Sequence, residues 1–253
     1  MANQLSNTWA EAFPASYKVQ FEIDDALNDI ELLAELQEPE ASAGPVVSFY
    51  DPKTDDEDAL VTKRMKIYVD RPLLLSRILP VLQDLGLEVV DERPYELNPE
   101  GIGQRFIYDM GLKVDDSIDF AAVQDKLAAA YAAVVRNEAE SDSLNALVLR
   151  EGLDWQEVAM LRGYAHYLLQ LGVPNSTGFI AGALVSNAAV THGIVELFHA
   201  TFNPKLSAEQ SQALRAAAHE KITDALEAVP TLDADTLLRR FVKVIEATKR
   251  TNY

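Results

Sequence analysis

Cysteine is absent from the 253 residues. Disulfides, thiolate nucleophiles and cysteine-ligated metals are therefore excluded, and nothing in the chain requires an oxidising compartment. A cytoplasmic location is the expectation. Basic residues are scarce as well: 22 Lys and Arg stand against 40 Asp and Glu, a formal net charge of -18. Such a chain repels a phosphate backbone, whose binding runs on counterion release to Lys and Arg, so nucleic acid is not expected as a partner. Long hydrophobic runs are missing too. The longest mostly apolar stretch, PNSTGFIAGALVSNAAV, is interrupted by Asn175, Ser176, Thr177, Ser186 and Asn187, and it falls short of the roughly 20 apolar residues that a bilayer span needs. The opening MANQLSNTWAEAFPASY has no basic segment followed by an apolar one, so neither a secretory leader nor a membrane partner is expected.

What is present is enough apolar sequence to build cores, 48% of the residues, in two textures. Residues 22–38, EIDDALNDIELLAELQE, have helical spacing with carboxylates between the apolar positions, which predicts a short helix outside the main core. A Pro39-to-Pro45 break then sets a first boundary near residue 40. VVSFY reads as a strand, and from 60 to 136 the periods alternate as strand, helix, strand, strand, helix. Four strands and two helices predict an α+β sandwich of ferredoxin-like kind over 41–140, after an N-terminal helical extension or linker over 1–40. Within it, Pro80 should kink or shorten its helix. After Glu140 helix follows helix, with Asp154-x-x-Glu157 and Ser207-x-x-Gln210 as capping boxes and Gly152 and Gly172 at helix ends, so an all-α bundle is expected over 141–253. One of its helices is expected to run unbroken through GFIAGALVSNAAVTHGIVELFHATF.

No set of residues assembles a catalytic centre, and neither a catalytic nor a cofactor-binding residue is assigned. Asp91, Glu92 and Arg93 invite an acid/base reading, but alternation on a strand puts Asp91 and Arg93 on one face and Glu92 on the other, the pattern of a solvated, salt-bridged surface. By the same alternation Leu87, Val89 and Asp91 should share a face, with Pro94 either ending regular pairing or marking a sheet edge. THGIVELFH spaces Glu196 and His199 three apart, with His192 four before Glu196. Carboxylate-bridged metal bundles use such spacing, but they need a second Glu-x-x-His and further carboxylates, so no metal is expected. Gly101-Ile102-Gly103 lacks a third glycine and lies between two predicted strands; it reads as a hairpin turn rather than a dinucleotide fingerprint. The one candidate binding feature is Asp70-Arg71-Pro72, where a strand gives way to a helix. Pro72 suits the first helical turn and the free N–H groups there could meet an anion such as an amino-acid carboxylate, with plain capping by Asp70 as the competing reading.

VDRPLLLSRILPVLQDLGLEVVDERPYEL resembles the ACT-type regulatory domain, a βαββαβ sandwich that often binds amino acids at its first strand–helix junction. Leu73 stands where that family commonly has glycine. Farther along, the 85–95 block, LNALVLREGLDWQEVAMLRGYAHYLLQLGVPNS, VELFHATFNP and LLRRFVKVIEATKRTNY look like the large bacterial NAD-specific glutamate dehydrogenases. That resemblance implies an ACT-like plus helical regulatory segment, truncated before the catalytic domain. The parent would deaminate glutamate to 2-oxoglutarate with NAD as its cofactor, and this chain itself would hold none. The implied partners are the catalytic domain of the same polypeptide, other subunits and a candidate amino-acid effector. Two other readings stay open: a stand-alone amino-acid-sensing module, and a structural oligomerisation module suggested by helices such as VSNAAVTHGIVELF, which look apolar on more than one side.

Overall fold

The computed structural model describes residues 8, 9, 11–36, 45–52 and 60–253. The chain divides into two compact units, Met1–Ser141 and Asp142–Tyr253.

In the first unit, helices α1 (Ala15–Gln20) and α2 (Ile23–Glu35) precede strands β1 (Val46–Tyr50) and β2 (Lys63–Val69), helix α3 (Leu75–Asp84), strands β3 (Glu88–Leu97) and β4 (Arg105–Lys113), and helix α4 (Phe120–Val135). The four strands form one antiparallel sheet in the order β1-β2-β4-β3. The expected α+β class holds. An edge position that a βαββαβ array would fill with its last strand is filled here by the strand that comes first in sequence.

Side chains alternate between the faces of a sheet, and the register therefore assigns each one. Arg64, Lys66 and Tyr68 of β2 project to the same side as Ile107 and Asp109 of β4 and as Tyr95 and Leu97 of β3. Met65 and Ile67 project to the other side with Tyr108 and Met110, where Phe49 meets Phe120 of α4 edge-on at 5.2 Å. The first face is covered by the N-terminal helices: Trp9, Phe13, Tyr17, Phe21 and Leu33 join Tyr68, Tyr95, Leu97 and Ile107 in one core cluster. The expectation that residues 22–38 lie outside the main core is thus corrected for 22–36; residues 37 and 38 lie outside the described residues. Leu33 and Asp29 of α2 are fully buried, because Lys66 of β2 finds its carboxylate partner in Asp29.

Two further differences have local causes. Helix α3 begins at Leu75, with Leu74 as its N-cap, three residues after Pro72. The Tyr108 hydroxyl accepts the Leu73 N–H at 2.9 Å and ties the loop to the sheet for that extra length. Its other end closes at Gly86, at φ 83°, whose N–H donates to the Gln83 carbonyl while the Leu87 N–H donates to the Leu82 carbonyl, a Schellman closure that suits glycine. In β3 the register slips between Val89 and Asp91, so that Val89 pairs with Leu112 and Asp91 with Gly111. The bulge leaves Val90 as the extra residue and sends Val89 and Asp91 to opposite faces, against the shared face expected from alternation. Pro94 pairs opposite Tyr108 in this edge strand, as the missing donor requires.

The second unit opens with a short 3-10 turn, Ser143–Asn145, and continues as α5 (Ala146–Glu151), α6 (Trp155–Gln170), α7 (Thr177–Ser186), α8 (Ala188–Phe202), α9 (Ala208–Leu226) and α10 (Leu232–Ala247). Capping boxes start α6 at Asp154 and α9 at Ser207, as read. The long helix expected through residues 178–202 is instead two helices bent by 98°. Asn187 makes the break: its backbone leaves the helical region, and its side-chain amide donates to the Ala183 carbonyl at 2.7 Å. Among the described residues no single helix is long and apolar enough to cross a membrane. The bend lets α8 bury Val190, Ile194, Val195, Leu197 and Phe198 inside this one unit, so the apolar residues that suggested an oligomerisation module are covered within the chain. Against α9, Gly193 permits close approach, since a Cβ there would sit 2.6 Å from Ile222 Cγ1. Replacing Gly193 by Val should lower stability by about 1–3 kcal/mol through overpacking, read as a drop in the urea midpoint followed by circular dichroism.

Candidate functional site

Two places hold unusual groupings of functional side chains, one in each unit. The first is a buried ionic network on the covered face of the sheet, where Arg64 is 1% exposed, Lys66 4%, Asp29 1% and Asp109 0%. Charges taken this far from water must be paired and hydrogen-bonded. Asp29 accepts from three donors: Lys66 Nζ at 2.7 Å, the Tyr17 hydroxyl at 2.6 Å and the Tyr68 hydroxyl at 2.7 Å. The Lys66 ammonium also lies 3.8 Å from the centroid of the Phe21 ring, close enough for a cation–π contact. Two residues along β2, Arg64 Nε donates to Asp109 Oδ1 at 3.0 Å, and its terminal nitrogens donate to the two Asp91 oxygens at 2.8 and 3.3 Å. The Tyr50 hydroxyl adds a bond of 2.8 Å to Asp109.

Sequence geometry explains how these groups meet. The bulge at Val90 puts Asp91 on the Arg64 face, and Gly111 opposite leaves the space, since a Cβ there would lie 2.8 Å from Asp91 Oδ1. Asp91 therefore bonds a buried guanidinium, correcting the expected solvated surface pair, with Arg93 only at 3.8 Å. Burial pushes the Asp109 carboxyl up against the opposing pull of Arg64. Burial would lower the Arg64 guanidinium, but its bonds to Asp91 and Asp109 prevail and leave it raised. Burial, then the Asp29 charge, raises the phenols of Tyr17 and Tyr68, and burial with Asp109 raises that of Tyr50. This network holds charges fixed; it offers no exposed group to a substrate.

The second place is a recess of about 900 Å³ in the helical unit. Trp155, Tyr164 and Tyr167 of α6, Phe198 of α8, Lys243 of α10 and the segment after α10 line it. At its edge His199 joins two partners: Nε2 meets Glu157 Oε1 at 2.9 Å, and Nδ1 meets the Tyr253 hydroxyl at 2.9 Å. A carboxylate only accepts, so in the neutral ring Nε2 carries the proton and Nδ1 receives that of Tyr253. Tyr253 also stacks on Phe198 with centroids 6.0 Å apart.

The other sequence-predicted residues are dispersed. His192, Glu196 and His199 turn to separate partners: His192 to Glu151 at 3.4 Å, Glu196 to Lys221 at 2.8 Å, and His199 as above. Among the described residues no group of three or more His, Asp or Glu is placed to hold a metal ion. Asp70, Arg71 and Pro72 are exposed, and Arg71 Nε donates to Asp70 Oδ1 at 3.2 Å. Asp70 therefore does not cap α3. Gly101 and Gly103 take φ of 77° and 91° in the hairpin between β3 and β4. A strand follows them where a dinucleotide fold needs a helix N-terminus, so this turn does not fit NAD. Sequence reasoning missed the ionic network, though its cover was signalled: Trp9, Phe13, Tyr17 and Phe21 recur every fourth residue and stack in turn with centroids 6.1, 4.5 and 4.6 Å apart.

Two outcomes follow from the network. Arg64→Leu leaves Asp109 buried without its cation and should cost about 3–5 kcal/mol, whereas adding Asp109→Leu should recover part of the loss; denaturant unfolding of the two variants checks this. The three raised phenols stay neutral in the folded chain, while unfolded tyrosines ionise near about pH 10. Their contribution is whole below that pH and is lost as pH rises beyond it, because the unfolded state gives up protons that the folded state retains. The denaturation midpoint should fall above about pH 10, and Tyr17→Phe should flatten the slope.

Comparison with known proteins gives a consistent assignment. Residues 1–36 match the glutamate dehydrogenase helical motif 2, residues 45–124 the glutamate dehydrogenase ACT3 domain, and residues 139–204 the glutamate dehydrogenase helical motif 3. The chain is 35% identical over 248 residues to an NAD-specific glutamate dehydrogenase of Pseudomonas aeruginosa, covering 96% of this chain. It is 34% identical over 254 residues to that of Halomonas elongata, covering 100%, and 33% identical over 253 residues to that of Mycobacterium tuberculosis, covering 97%. In each case it spans 15% of the relative's length. The chain thus carries, in sequence order, segments that match the helical motif 2, the ACT3 domain and the helical motif 3 of glutamate dehydrogenase, and over nearly its whole length it is similar to a stretch of the large NAD-specific glutamate dehydrogenases.

Proposed function

We propose that the chain is a non-catalytic regulatory and assembly segment of an NAD-dependent glutamate dehydrogenase. The whole protein would convert L-glutamate, NAD and water to 2-oxoglutarate, ammonia and NADH. The observation that carries the reading is the succession of matched modules, helical motif 2, ACT3 and helical motif 3, over a chain spanning 15% of each relative. The use of charge agrees with it. In the first unit the most buried ionisable groups bond one another, which suits a scaffold, whereas catalysis needs such groups aimed at a reacting atom. NAD would be bound by a part of the whole protein outside these residues, and the partners of this segment would be the catalytic domain of the same polypeptide and other subunits.

An amino-acid effector at Asp70, Arg71 and Pro72 is part of the same proposal. Exposure of the Arg71 guanidinium beside the start of α3 supports it, since a carboxylate could replace Asp70 as its partner. The Leu73 N–H, already given to Tyr108, would take no part.

The test is direct. The purified chain, given glutamate and NAD, should form no NADH by fluorescence, and turnover at an enzymatic rate would refute the non-catalytic reading. Calorimetry with the common amino acids should show heat that Arg71→Ala removes; absence of heat from all of them would remove the effector site while leaving the segment's assembly role standing.

A further inference from the structure

We infer that the recess in the helical unit is a binding site for a small amphipathic anion, a flat apolar body bearing one carboxylate, sulfonate or phosphate. The inference concerns a site separate from the Asp70-Arg71-Pro72 junction and does not depend on the proposed function, because dye binding and NADH formation are read independently.

Size and lining set the body of the ligand. About 900 Å³ is enough for an open recess to seat a drug-sized molecule. Its walls present Trp155, Tyr164, Tyr167 and Phe198, rings that bury flat apolar surface and tolerate many outlines. The α6 wall is open at one point. Gly163 lines the recess in the middle of that helix, and a Cβ added there would meet nothing within 4 Å. Mid-helix glycine is unfavourable relative to other residues, and here it leaves room where any longer side chain would intrude.

Charge sets the head group. Lys243 and Arg250 line the recess, and neither makes an ion pair or a side-chain hydrogen bond among the described residues. In a chain with 40 acidic residues against 22 basic ones, two cations beside an apolar cavity without carboxylate partners are notable. The Glu157 carboxylate that lines it is already committed: Oε1 meets His199 at 2.9 Å, and Oε2 accepts the Asp154 N–H at 2.8 Å. A smaller recess adjoins this one, sharing Leu171, Lys243 and Val244 and adding Arg240. The basic character thus continues along one face of α10, while Leu237, Leu238, Phe241 and Ile245 fill the core on the other. An anion whose body sits among the rings would give these two exposed cations the partner they lack.

The test uses two dyes of similar body, anilinonaphthalene sulfonate and neutral phenylnaphthylamine, titrated by fluorescence into the full chain. The expected result is one saturable site that binds the sulfonate about tenfold more tightly than the neutral dye, a preference of the size one charge-assisted contact supplies. Lys243→Glu combined with Arg250→Glu should abolish that preference and leave the neutral dye bound. Gly163→Leu, placed in open space in a helix that favours leucine, should displace both dyes while the thermal transition by circular dichroism is retained. Failure of either dye to saturate, equal affinity for the two, or sulfonate binding that survives Gly163→Leu would each overturn the site. The last of these outcomes would place the dye on another surface, and the first would leave the recess to a protein partner.

Discussion

Asp29 is the residue on which the first unit turns. Its carboxylate accepts three bonds from Lys66, Tyr17 and Tyr68, and those donors come from a central strand and from the N-terminal helical segment. Desolvating a carboxylate and an ammonium costs several kcal/mol each unless the partners are well placed, so this arrangement tolerates one docking of α2 and penalises its neighbours. The aromatic residues from Trp9 to Phe21 then exclude water from the pair. Greasy contact alone would allow the helix to slide; the ion pair fixes where along the sheet it rests. The same holds for Arg64, which draws Asp91 and Asp109 together from two strands and gives the bulge at Val90 its purpose.

What could be read from sequence was whatever is local. Strand positions, the capping boxes of α6 and α9 and the edge placement of Pro94 depend on neighbours within a few residues, and they came out as expected. What escaped was set by partners far along the chain. Nothing near Asp91 announces that Arg64, 27 positions earlier, will turn it inward, and one unpaired residue reverses every face assignment that precedes it. The helical period holds over Ile23–Glu35, but its carboxylates suggested an outward-facing helix, and Asp29 is buried. Asn187 broke a helix that apolar periodicity joined, through a bond from its own side chain to the preceding turn.

The candidate recess was illegible for a related reason. Lys243 and Arg250 are ordinary basic residues in sequence, His199 drew notice only for its spacing from Glu196, and Gly163 had no signal at all. Their significance is relational: α6, α8 and α10 each contribute a wall, and the charges matter because, among the described residues, neither Lys243 nor Arg250 forms an ion pair. The recess thus depends on convergence of separate helices, a property that spacing within any one of them does not encode.

The meeting of Asp29 with Lys66 also separates two meanings of the word module. The helical motif ending at residue 36 and the ACT3 domain beginning at residue 45 are distinct as units of descent, each traceable by itself across relatives. Thermodynamically they are one, because the ion pair straddles the line between them. Recombination at that line during evolution would strand a buried charge on either side, so the two pieces are constrained to travel and to change together, and a substitution tolerated in one is judged by the other.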